Sequence, residues 1–330
     1  MTTTARTVLF DEVGGPEVFT VEEAELLDPG PGEVLVSVEA IGLNRAEAML
    51  RAGTYWYQPT LPGSRNGYEA AGEVVAIGEG VTAFAPGDPV LSAANFNLSS
   101  HGVYGDLVLL PETSLVPRPS GVDAVTAAAV WLTYTTAYGA LIERARMAAG
   151  HHVLITAAAS GVGTAAIQVA RRAGATPIAA TRSEAKRQAL LDAGAELVVV
   201  GDEEDVIKET GRLTDGRGAD IVLDAIGGPV FRELGRAAAT DAHMVSYGWL
   251  SERPIELPRN WPVTVHGYSN LTVTGTADGR RRAAHYLASG LTDGTLRPVI
   301  AEVYDGLDRI GDAHRLMESN RHTGKIVVRP

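Results

Sequence analysis

"ITAAASGVGTAAIQVARRAG", residues 155–174, runs from an apolar stretch through a turn of small residues into an amphipathic helix. A helix starting near Gly161 leaves its first N–H groups without intrahelical acceptors, and its dipole is positive at that end. Such an end takes a pyrophosphate when nothing bulky blocks the backbone. Ala158 and Ser160 stand where a G-x-G-x-x-G pattern would have its first two glycines, so the cradle falls to Ser160, Gly161, Val162 and Gly163. A compact βα turn without a ligand is the other reading. The position on the first strand of a βαβ unit favours the nucleotide.

Outward from this stretch the texture is that of a doubly wound sheet. "HVLITA", "TPIAAT", "AELVVV", "ADIVLDAIG" and "AHMVSYG" are nearly continuous apolar runs, and helical segments stand between them. Strands buried on both faces read this way. "TVHGYS" is expected to be a sixth strand. The first third differs. It is punctuated by "GGPE", "DPGPGE", "LPG" and "APGD", with short alternating runs such as "EVLVSVEAIGLN", in which Val34, Val36 and Val38 share a face. That pattern predicts a β-barrel-like domain. The expected division is 1–124 with 291–330 for the barrel-like domain and 125–290 for the nucleotide domain, an α/β chain of two folds.

The second strand of the nucleotide domain selects the cofactor. An NAD site places an acid at this strand's tip for the ribose 2′-hydroxyl. Here the tip reads "TRSEAK". Arg182, Ser183 and Lys186 suit a 2′-phosphate, so NADPH is expected; Ser183 is also a good N-cap for the helix that follows.

Composition narrows the rest. The 330 residues contain no cysteine, which excludes disulfides, thiolate metal sites and a cysteine nucleophile. A net charge of −12 argues against a nucleic-acid partner. No apolar run is long enough for a membrane span and "MTTTARTVLF" lacks a signal-peptide core, so a cytoplasmic protein is expected.

"GLNRAE", "GYEAAGEVVAIGEGV", "FAPGDPV", "LTYTTAYGAL", "ITAAASGVG", "VLDAIGG" and "GKIVV" together resemble the medium-chain dehydrogenase/reductase superfamily, nearest its zinc-free quinone oxidoreductase branch. The resemblance covers almost the whole chain. It implies a GroES-like β-barrel domain plus a Rossmann domain. It aligns the catalytic-zinc ligand positions with Asn44, Tyr68 and Leu132, none of which is a usual zinc ligand, so no metal is expected.

Without a Lewis acid, hydride addition to an electron-poor C=C or a quinone is easier than alcohol–carbonyl interconversion, because the charge spreads into an enolate or hydroquinone anion that hydrogen bonds can hold. The resemblance implies Tyr68 and Asn44 as the polar groups at the substrate oxygen, with water an alternative proton source. Tyr55, Trp56, Asn95, Phe96 and Trp131 are expected to wall the substrate, a flat or apolar small molecule. Thr136, Ala225, Gly227, Tyr247, Gly248 and Lys325 join the cradle and the strand tip as cofactor contacts. Met49 stands where some quinone reductases have tyrosine, and Gly201 where many relatives have a tyrosine against adenine. The function expected is an NADPH-dependent enone or quinone reductase. Alternatives are an NADPH-dependent ketone or aldehyde reductase, with Tyr68 as the acid, and a non-catalytic NADPH-binding protein. A homodimer through the Rossmann sheet edge is also implied.

Overall fold

Two compact units divide the chain: residues 1–132 with 300–330, and residues 133–299. The computed structural model describes residues 3–26 and 28–330.

In the first unit, strands β3 (Glu33–Gly42), β4 (Glu69–Ile77), β5 (Pro89–Ser92), β6 (Leu107–Pro111) and β7 (Leu115–Pro117) are joined from the C-terminal segment by β14 (Ile300–Asp305) and β15 (Lys325–Arg329). The sheet runs β14-β15-β3-β4-β5-β7, and β6, off this path, pairs with the first half of β3. A separate antiparallel pair is made by β1 (Thr3–Leu9) and β2 (Thr20–Leu26). Val34, Val36 and Val38 share one core with Ile326, Val328 and Met317. Leu35, on the opposite face of β3, is buried too, against Ala5 of β1 and Leu107 and Leu109. Alternation alone would leave that face in water; the additional β1–β2 pair covers part of it.

In the second unit, β8 (His152–Ile155), β9 (Thr176–Thr181), β10 (Leu197–Val200), β11 (Ala219–Asp224), β12 (Ala238–Ser246) and β13 (Val263–Gly267) form one parallel sheet in the order β10-β9-β8-β11-β12-β13. The apolar runs are buried as their composition demands: Val153, Leu154, Ile155, Ile221, Val222 and Leu223 are each fully shielded. Chain order reverses between β9-β8 and β8-β11. Ligands of open α/β sheets bind at such a switch point, beyond the carboxyl ends of the strands. The strand "TVHGYS" is β13 and lies at the edge, with Val265 on it part-exposed. Among the described residues no helix is long and apolar enough to cross a membrane.

Candidate functional site

The helix Gly161–Arg172 starts at the carboxyl end of β8, with Ser160 as its N-cap. The Gly163 N–H donates to Ser160 Oγ at 3.1 Å, so the hydroxyl keeps its own proton to donate. The N–H groups of Gly161 and Val162 belong to the open first turn, where no intrahelical acceptor exists. Gly163 is required by packing: a Cβ there would fall 2.4 Å from the Ala158 carbonyl oxygen. The turn is strained at Ala157, whose φ is +45°, a value L-residues seldom adopt.

The ends of β11 and β12 close over the same region. Tyr247 brings its hydroxyl beside Ser160. That hydroxyl is buried and has no hydrogen-bond partner among the described residues, and burial pushes the phenol above its ordinary value. Gly248 lies so near Ala225 that a Cβ would meet the Ala225 carbonyl oxygen at 2.8 Å. Gly227 takes φ +70° and donates its N–H to Asp224 Oδ2 at 2.7 Å. Asp224, buried at the tip of β11, also accepts from Thr156 Oγ1 at 2.6 Å. Burial raises its carboxyl above the ordinary value, opposed by the Thr156 hydrogen bond. Asp224 is a positioning group that the sequence reading missed, although "VLDAIGG" contains it. Thr136 is buried on the helix Trp131–Tyr138.

At the tip of β9, Arg182 is exposed. The Lys186 ammonium is pushed below its ordinary value by burial and by the Arg182 charge. The nearby acids are turned elsewhere: Glu184 and Glu204 both hold Arg187, at 2.8 and 3.1 Å. The Ser183 N–H reaches Thr181 Oγ1 at 3.4 Å. Small cradle residues, an open helix start, an orphaned hydroxyl and a cation pair all fit a phosphorylated dinucleotide.

The barrel unit holds a second cluster. Asn44, which precedes the helix Arg45–Arg51, caps it reciprocally: its N–H donates to Glu47 Oε2 at 2.6 Å. Its side chain is committed on both sides. Nδ2 donates to the Gly42 carbonyl at 3.0 Å and to Glu47 Oε1 at 3.0 Å, and Oδ1 accepts from Lys325 Nζ at 2.5 Å. Lys325 also pairs with Glu69 Oε2 at 2.6 Å, both side chains being buried. Glu69 Oε1 accepts the Leu132 N–H at 2.9 Å. Lys325, expected at the cofactor, and Asn44, expected at the substrate, therefore meet each other in one buried network, and any contact with a ligand falls to what that network leaves unused.

Glu47 extends the network. It accepts the Tyr68 N–H at 2.8 Å and the Tyr104 hydroxyl at 2.6 Å. Burial raises its carboxyl, opposed first by the Lys325 charge. Glu47 was not singled out in the sequence, although the asparagine-x-x-glutamate spacing of a capping box contains it; Tyr104 and the residues beyond it carried no local signal.

Tyr68 is buried, and its hydroxyl meets Tyr55 Oη at 3.2 Å and Tyr57 Oη at 3.5 Å. Burial lifts the Tyr68 phenol far above its ordinary value. Phe96 packs on Tyr68 with ring centroids 5.9 Å apart, and Trp56, 64% exposed, packs on Tyr55 at 5.9 Å. Asn95 donates Nδ2 to the Thr113 carbonyl at 3.1 Å, while its Oδ1 is buried without a partner among the described residues. Trp131 is buried and donates its indole N–H to the Ala93 carbonyl at 3.0 Å, anchoring the same loop. Of the residues expected at the substrate, the structure thus gathers Tyr55, Trp56, Tyr68 and Phe96 into one aromatic group, while Asn95 lies on the loop after Ala93, to which Trp131 of the helix Trp131–Tyr138 is hydrogen-bonded.

Residues 30–120 match the model of the alcohol dehydrogenase GroES-like domain and residues 161–289 that of the zinc-binding dehydrogenases. Quinone oxidoreductase of Lama guanicoe is 30% identical over 328 residues, covering 98% of this chain and 97% of its own. The chain belongs to the quinone oxidoreductase-like branch of the medium-chain dehydrogenase/reductase superfamily. It is accordingly an oxidoreductase by family. Among solved structures, Escherichia coli quinone oxidoreductase complexed with NADPH superposes with a TM-score of 0.92 at 28% identity, covering 98% of this chain and 100% of that one. A quinone oxidoreductase of Pseudomonas syringae gives 0.88 at 30% identity, covering 99% and 100%. The donor set does not fit the zinc in the second family model's description. Leu132 has no donor atom, the Asn44 amide is saturated, and among the described residues no three His, Asp or Glu side chains converge.

Proposed function

We propose that this chain is a zinc-independent, NADPH-dependent reductase of electron-poor C=C bonds or quinones. The single observation that carries the reading is Tyr68: a buried phenol, set among Tyr55, Tyr57 and Phe96, at a position where zinc-dependent relatives have a metal ligand. An oxygen that gains charge during reduction needs a donor, and an O–H in a desolvated site serves this without a metal. The aromatic surround favours a flat, apolar substrate.

Ser160, Gly161, Val162 and Gly163 would hold the pyrophosphate, and Arg182, Ser183 and Lys186 the 2′-phosphate. The Tyr247 hydroxyl and the backbone at Ala225, Gly227 and Gly248 would line the same cofactor, with Thr136 toward its nicotinamide end. Bound NADPH supplies a hydride. Tyr68 then gives its proton to the substrate oxygen, Phe96 and Trp131 keep that surround apolar and ordered, and Asn44 holds Glu47 and Lys325 in place. Two copies would pair along β13 to make a homodimer.

Oxidation of NADPH with a panel of enones and quinones tests this, before and after dialysis against a strong chelator. Turnover with at least one such acceptor, unchanged by the chelator, is expected. Turnover confined to saturated ketones or aldehydes would favour a carbonyl reductase, and no turnover with any acceptor a non-catalytic NADPH-binding protein.

A further inference from the structure

A phosphate cradle with serine in a glycine position loses one donor and gains another. Ser160 Oγ accepts the Gly163 N–H at 3.1 Å, which removes that N–H from the set a helix start offers to an anion. Ser160 keeps its own O–H proton in return. Tyr247, just past the end of β12, brings Oη beside it. That oxygen is buried and forms no hydrogen bond among the described residues. Burial raises the Tyr247 phenol above its ordinary value, with Ser160 opposing and the Asp224 charge adding, so the group stays protonated. Asp224 is engaged elsewhere, with Thr156 Oγ1 at 2.6 Å and the Gly227 N–H at 2.7 Å. Two neutral hydroxyls thus stand side by side at the open end of a 12-residue helix. Their protons can be counted without choosing a direction. If Ser160 donates to Tyr247, the Tyr247 proton has no acceptor among the described residues; if Tyr247 donates to Ser160, the Ser160 proton has none. At least one O–H is left over in either case.

We propose that Ser160 and Tyr247 act together as hydroxyl donors to the cofactor's pyrophosphate, in place of the Gly163 N–H that Ser160 has engaged. The proposal rests on the reading of this cradle as the NADPH site and is independent of which acceptor is reduced. A hydrogen bond to a charged oxygen is roughly twice as strong as one between neutral groups, so both protons turn to the phosphate oxygens rather than to each other when the cofactor binds. The dipole of the helix start favours the same negative charge. Tyr247 is then an affinity contact without a structural duty: in the free protein its hydroxyl bonds to nothing, and the pyrophosphate supplies the acceptor it lacks.

The experiment titrates NADP⁺ calorimetrically into the wild type, Tyr247→Phe and Ser160→Ala, with adenosine 2′-phosphate, which lacks the pyrophosphate, as a second probe. Tyr247→Phe should weaken NADP⁺ roughly 10-fold, one hydrogen bond to a charged group, and leave adenosine 2′-phosphate unchanged. Ser160→Ala returns the Gly163 N–H as it removes the hydroxyl, so its loss should be the smaller of the two. Melting gives a readout apart from affinity. Without ligand, Tyr247→Phe should melt at or above the wild-type temperature, because the hydroxyl it removes has no acceptor. At a fixed NADP⁺ concentration its rise in melting temperature should be smaller than that of the wild type. A Tyr247→Phe protein that melts lower without ligand and binds NADP⁺ as the wild type does would overturn the proposal and make the hydroxyl a structural contact. Equal losses with NADP⁺ and with adenosine 2′-phosphate would overturn it as well, because the change would then have spread beyond the pyrophosphate. Wild-type binding of NAD⁺ as tight as that of NADP⁺ would defeat the assignment of the 2′-phosphate, and the same variants titrated with NAD⁺ would still decide this one.

Discussion

Lys325 Nζ lies 2.6 Å from Glu69 Oε2, and the two side chains are 4% and 1% exposed. They are 256 residues apart in sequence and fasten β15, from the C-terminal segment, to β4. Removing one partner of such a pair leaves a charge buried without compensation, which costs roughly 3–5 kcal/mol. Lys325→Met should destabilise the protein by about that amount in urea titration. The double variant Lys325→Met, Glu69→Gln should recover much of it, because no lone charge remains. Equal stability of Lys325→Met and wild type would show that water reaches Glu69.

His314 is fully buried between Arg51 and Tyr104. Arg51 can only donate, so Nδ1 accepts at 2.9 Å and the proton sits on Nε2, facing Tyr104 Oη at 2.9 Å. Tyr104 then donates to Glu47. Burial, above all, pushes the His314 imidazole down to about 4 from 6.5. The unfolded chain therefore binds this proton first as pH falls. The resulting stability is fully present above about pH 6.5 and is lost as pH drops through about 4. Relative to His314→Gln, the wild type should lose up to about 3 kcal/mol between pH 7 and pH 4. A pH-independent difference between the two would mean that His314 binds its proton equally well in the folded and the unfolded chain.

If Arg182 and Lys186 hold the 2′-phosphate as proposed, they set the cofactor preference. A hydrogen bond to a charged group contributes roughly 1.5–3 kcal/mol, and exposure at Arg182 reduces it. Wild-type kcat/KM should favour NADPH over NADH by roughly 10–10³. Arg182→Ala should raise the KM for NADPH and leave that for NADH nearly unchanged, and added salt should weaken the preference. Equal efficiencies with both cofactors in the wild type would reduce "TRSEAK" to a helix start.

Tyr68→Phe keeps the ring against Phe96 and removes one donor. Turnover should fall by roughly 10²–10³, the usual loss for one oxyanion donor. An unchanged kcat would assign the proton to water and leave the hydride chemistry standing.

The outer edge of β13 carries Val265, 38% exposed, and the segment before it presents Leu257 and Trp261 at 61% and 77%. An apolar sheet edge of this kind favours pairing with a second copy. Light scattering at micromolar protein should give twice the chain mass, and Val265→Asp should shift it to the monomer with unchanged circular dichroism. A monomeric wild type would oppose the dimer.

The sequence by itself determined the doubly wound sheet, because strands buried on both faces must be apolar throughout and the helices between them must be amphipathic. It also located the helix start at Gly161 and the cations at the tip of β9, since a helix start and a strand tip are local features in which neighbours in sequence are neighbours in space. The Asn44–Glu47 capping box, three residues apart, is local in the same way, but it was not read from the sequence. Only the tertiary structure decided what Asn44 and Lys325 do with their polar atoms. Lys325 reaches Asn44 across 281 residues, and a saturated amide looks the same in sequence as a free one. The Glu47–Tyr104–His314–Arg51 line was likewise invisible, because burying a polar side chain requires a partner and nothing in the local pattern says where that partner comes from.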